Sequence, residues 1–132
     1  MFEFHGWINV RYHMHDTDQR LQQQCWKQVT SIFKSYGFPL SASLRQNGMD
    51  TIHFAGHHNH KQTAPLDLLN EVGAIAPGSY GLIHIYDDEH PENPNCVQKH
   101  ILKRGKVYSS IETALSRYTP EVEDPYDETR ND

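Results

Sequence analysis

The sequence predicts an α+β fold: an antiparallel sheet with two helices on one face. Apolar and polar residues alternate from Phe2 to Tyr12 and large side chains alternate from Tyr80 to Tyr86, which is strand periodicity. Between these runs, residues 18–36 and 63–76 repeat apolar positions at helical spacing. Asn47-Gly48 and Arg104-Gly105 each separate two short strand-like runs, as hairpin turns do. The order is strand, helix, strand, strand, helix, strand, the ferredoxin-like split βαβ arrangement, followed by a C-terminal hairpin. This reading gives a single α+β domain over residues 1–118 and an acidic C-terminal arm over 119–132.

In the first strand Phe2, Phe4, Gly6, Ile8, Val10 and Tyr12 share the inner face, and Glu3, His5, Trp7, Asn9, Arg11 and His13 point outward. Trp7 is the apolar exception, either facing solvent or covered by the terminal hairpin or tail. Asp16-Thr17-Asp18 supplies N-cap candidates for a helix whose stripe is Leu21, Cys25, Val29, Ile32, Phe33 and Tyr36. Trp26 lies at the margin of that stripe as a packing residue, and Gly37 with Pro39 beyond it stops the helix. Strands over 41–46 and 51–57 follow, with Ile52 and Phe54 inward and His53 outward.

Thr63 as a cap and Pro65 in the first turn open the second helix, where Leu68, Leu69, Val72, Ile75 and Ala76 form the stripe and Gly73 weakens it. Pro77-Gly78 delivers the chain to the strand Tyr80–Tyr86. Its side chains are large on both faces, so it belongs in the middle of the sheet beside the first strand. After an acidic, proline-rich loop the hairpin 96–103 and 106–110 is basic, with Lys99, Lys103, Arg104 and Lys106. The helix-free face then gathers His5, Trp7, Asn9, Arg11, His53, Tyr80, His84 and Tyr86.

With 36% hydrophobic and 22% charged residues among 132, the chain has the composition of a domain that folds alone. A formal charge of −5 disfavours nucleic acid and suits a basic partner, which the arm, with six acids against Arg130, would help to capture. No run is apolar enough to span a membrane. Cys25 and Cys96 form no CxxC, so neither a disulfide framework nor a thiolate zinc site is implied, and a reducing cytoplasm fits.

Ten histidines raise the question of a metal. His57-His58-Asn59-His60 and His13-Met14-His15 have spacings that can converge on a divalent ion, yet neither lies on a HExxH helix or beside thiolates. They are read as solvated loop histidines, with no metal and no cofactor. His5, His53 and His84 could serve as acid and base, but no nucleophile signature, phosphate loop or carboxylate pair accompanies them. The outer face is therefore assigned to recognition, with no catalytic residues. Trp7, Tyr80, His84 and Tyr86 form its centre, and Asp87, Asp88 and Glu89 pair with basic groups at the rim. The alternatives are a metal-assisted hydrolase using the histidine clusters and, third, a nucleic-acid-binding module.

Four segments occur in order across nearly the whole chain: Met1-Phe2-Glu3-Phe4-His5-Gly6-Trp7; Gly78-Ser79-Tyr80-Gly81-Leu82 leading into Tyr86-Asp87-Asp88; Arg104-Gly105-Lys106-Val107; and Pro120-Glu121-Val122-Glu123-Asp124-Pro125. Together they resemble the seventh of the numbered immunity-protein families of bacterial polymorphic toxin systems. The resemblance implies a small cytoplasmic α+β protein that is no enzyme. Its expected partner is a cognate toxin domain encoded by the neighbouring gene, secreted or delivered by contact and most often a nuclease, which it binds and neutralises as a monomer or weak dimer.

Overall fold

The computed structural model describes residues 1–38, 42–116 and 127–131. Its elements are β1 (Phe2–Val10), α1 (Gln19–Ser35), β2 (Ala42–Gln46), β3 (Met49–His58), α2 (Ala64–Ile75), β4 (Tyr80–Asp87), β5 (Val97–Lys103) and β6 (Lys106–Glu112). The strands make one six-stranded sheet in the order β2-β3-β1-β4-β5-β6, antiparallel at every step. The molecule is thus of the α+β class, and β1 and β4 are the central pair that their two-sided patterns led us to expect. Most of the arm, including the Pro120–Pro125 segment, lies outside the described residues.

Two-residue turns fix both hairpins. Asn47 and Gly48 have φ of 52° and 74°, and Arg104 and Gly105 have 52° and 73°, the left-handed pair that matches strand twist. Asp18 caps α1 by accepting hydrogen bonds on Oδ1 from the amides of Arg20 and Leu21, at 2.9 and 3.1 Å. The far end closes as a Schellman motif: the Gly37 amide donates to the Lys34 carbonyl and the Phe38 amide to that of Phe33.

One face of the sheet holds the core. Phe2, Phe4, Ile8 and Val10 of β1 join Ile52, Phe54, Ile83 and Ile85, and are covered by Cys25, Val29 and Phe33 from α1 and Leu68, Leu69 and Val72 from α2. Two glycines leave room for the largest rings. Gly6 stands opposite Phe54 and Gly56 opposite Phe4. A Cβ on either would sit 2.7 or 2.6 Å from the facing ring.

Three local expectations are corrected. Thr63 makes no side-chain cap, so the start of α2 relies on its proline. Ile75, placed in the α2 stripe, is 39% exposed, and the stripe rotates onto Leu68, Leu69, Val72 and Gly73. Gly73 is a close-packing position instead of a weak point, because a Cβ there would lie 2.9 Å from Leu102 and 3.2 Å from the Gly105 carbonyl. It lets α2 rest on the β5–β6 hairpin.

Candidate binding face

Among the described residues, no helix lies over the other face of the sheet. Its side chains follow from register, since directly opposed residues in an antiparallel pair point the same way. Trp7 opposes Leu82, Leu82 opposes Ile101, and Ile101 opposes Tyr108, so one apolar row crosses β1, β4, β5 and β6. With strands about 4.8 Å apart the row is roughly 14 Å long. Trp7 and Leu82 are half-buried, whereas Ile101 and Tyr108 are 37% and 53% exposed. Tyr80 meets the Trp7 ring edge-on, with centroids 6.0 Å apart and planes at 88°. Trp7, Tyr80, Leu82 and Ile101 line a shallow hollow of about 270 Å³ that Lys99 and Lys103 border. The terminal hairpin therefore extends the sheet beside Trp7 and does not cover it.

Parallel rows flank this one. Asn9, Tyr80, Lys103 and Lys106 oppose one another in sequence on one side, and His5, His84, Lys99 and Ser110 on the other. Lys99 is held by Glu112 at 3.1 Å. The amide of Ala114 and then Lys99 keep the Glu112 carboxyl below the usual carboxylate range. His84 is half-buried with Nε2 3.8 Å from Glu112, beyond hydrogen-bonding distance.

The residues singled out from sequence separate into two ends. Trp7 and Tyr80 touch, but Tyr86 lies six residues further along β4, roughly 20 Å away at 3.3 Å per residue. Beyond it Asp87 is 4% exposed on the inner face, where its Oδ1 accepts the Glu89 amide at 3.1 Å and supports the turn. Asp88 pairs with the Met1 ammonium, and Glu89 with His60 at 3.1 Å. Both remain exposed. Ile101 and Tyr108 escaped the sequence reading, although the two-residue turn at 104–105 already sets them opposite each other.

Little in the described residues is arranged for nucleophilic catalysis. Burial, with a smaller contribution from Asp50, pushes the Cys25 thiol up to about 11, so the thiolate is scarce. His100 Nδ1 lies 2.7 Å from Ser109 Oγ, but burial lowers its pKa and no carboxylate acts on the ring. Among the described residues no helix is long and apolar enough to cross a membrane.

The open face thus carries an apolar row between polar and cationic neighbours. A profile of the family described as Immunity protein 7 matches residues 1–124, and the chain belongs to that family. It is an immunity protein. No curated protein and no solved structure matches it.

Proposed function

We propose that the chain neutralises a toxin by binding it across the open face of the sheet, in the cytoplasm of the cell that makes both, and that it does so without catalysis. The observation that carries this is the in-register row Trp7, Leu82, Ile101 and Tyr108, with Tyr80 against Trp7. Aromatic and aliphatic groups clustered in a shallow hollow and bordered by charge have the composition of a binding hot spot. A standard interface covers about 800 Å² per partner, roughly 28 Å across, so one partner can span the row and reach His84, Tyr86, Asp88 and Glu89. Asp87 then serves the interface by shaping the turn.

Charge acts at two ranges. The net −5 favours approach of a basic partner, as a nuclease with a phosphate-binding surface is, and the acidic arm adds to that steering. At contact, Lys103 and Lys106 select carboxylates on the docked surface and so set its orientation. The toxin is the product of the neighbouring gene, of a polymorphic or contact-dependent system. The test is co-purification of that product with this chain, together with growth of cells expressing the toxin with and without it. Stable co-purification and restored growth are expected. Protection by a chain that never contacts the toxin would contradict the proposal.

A further inference from the structure

The runs of histidine that stand out in the sequence do not converge in the fold. His57 and His58 are neighbours on a strand and point to opposite faces, so that His58 stacks on Phe4 with planes 11° apart. His60 turns to Glu89. His13 Nδ1 accepts the amides of His15 and Asp16, and so shapes its own loop. A different set comes together instead. Glu3 and His5, two residues apart on β1, share a face, and His57 of β3 stands directly opposite Glu3. One ligand atom from each of the three lies within 4.8 Å of the others.

The separations are near what a cation needs. Glu3 Oε1 is 2.7 Å from His5 Nε2, and Glu3 Oε2 is 3.8 Å from His57 Nδ1. Four donors at about 2.05 Å around tetrahedral Zn²⁺ are about 3.4 Å apart, so one Glu3 oxygen and the two ring nitrogens, which lie within 4.8 Å of one another, need only draw closer to hold an ion. The rings of His5 and His57 stand edge to face, with centroids 5.9 Å apart. The Glu3 side chain is only 20% exposed, whereas His5 and His57 are 55% and 65% exposed. Two imidazoles and a carboxylate favour a borderline ion over Mg²⁺ or Ca²⁺, which take oxygen donors.

We propose that Glu3, His5 and His57 form a Zn²⁺ site that clips β1 to β3 at the end of the open face away from Trp7, with a fourth position left to water. The ion takes the place of the Glu3–His5 hydrogen bond. Untagged protein, purified without metal resin and stripped with chelator, is titrated with zinc chloride by calorimetry, and its melting is followed with and without zinc. The expected result is a single equivalent bound and a melting midpoint that rises with zinc and falls back on chelation.

Folded Glu3→Gln and His57→Ala variants should each bind about tenfold more weakly or worse, since removing even an outer-shell partner of a metal ligand costs about that much. His13→Ala, in the other histidine cluster, should bind as the parent does. Absence of binding by the parent, or binding that survives both ligand substitutions, would overturn the site. Only zinc is added, so the result is independent of whether the toxin docks on this face.

Discussion

The two ends of the open face share β1, which pairs with β3 on one side and β4 on the other, yet they offer a partner different things. At one end Trp7, Leu82, Ile101 and Tyr108 stand in a row whose apolar surface has no better use than to be covered. At the other, Glu3, His5 and His57 are already engaged with one another, and Glu89 with His60. Covering apolar surface releases free energy of about 25 cal/mol per Å². Covering polar groups that are already paired only exchanges one set of partners for another, and exposed ion pairs are worth about 0–1 kcal/mol. Affinity should therefore concentrate at the aromatic end, and the histidine end should contribute orientation.

That asymmetry can be sharpened by substitution, provided each variant melts as the parent does. The largest effect is expected from Ile101→Ala combined with Tyr108→Ala, which removes the exposed half of the row. Toxin affinity should fall by about 2 kcal/mol, roughly thirtyfold, in a calorimetric titration. Lys103→Met with Lys106→Met should cost about 1 kcal/mol or less and should change the salt dependence of the association rate measured by stopped flow. Glu89→Gln should leave the dissociation constant within about twofold, since an exposed pair contributes little. A loss at Glu89 larger than that at Ile101 and Tyr108 would invert the comparison.

A smaller effect separates the two faces of β5. His100, on the inner face, is 8% exposed, and burial lowers its pKa from the ordinary 6.5. The unfolded chain then takes up a proton more readily than the folded one. The stability this gives is complete above the unfolded value of 6.5 and is lost as pH falls from there through the lower folded value. His100→Asn should reduce the decrease in melting temperature between pH 7.5 and 5.5, while an outer-face change such as Lys103→Met should not.

The fold was legible where local rules decide it. Period-two runs gave β1 and β4, and Asn47-Gly48 and Arg104-Gly105 gave both hairpins, because two-residue turns leave little freedom in register. Asp87 was misplaced: the sequence reading set it at the rim with Asp88 and Glu89, although its parity with Ile83 and Ile85 puts it on the inner face, where it is buried. The apolar row was only half legible. The hairpin turn pairs Ile101 with Tyr108, but their alignment with Leu82 depends on how β5 docks after the loop 88–96, which no local pattern specifies. The zinc candidate was illegible for the same reason, since His57 meets Glu3 through a pairing between strands 54 residues apart in sequence.

The most direct test titrates the toxin with two folded variants in parallel, in chelator to keep zinc out of the comparison. Trp7→Ala alters the aromatic end, and His57→Ala the histidine end. Trp7→Ala should lose about thirtyfold in affinity with its circular dichroism unchanged, and His57→Ala should bind within about twofold of the parent. Parental binding by folded Trp7→Ala, or a greater loss at His57, would contradict the assignment of the aromatic end as the anchor.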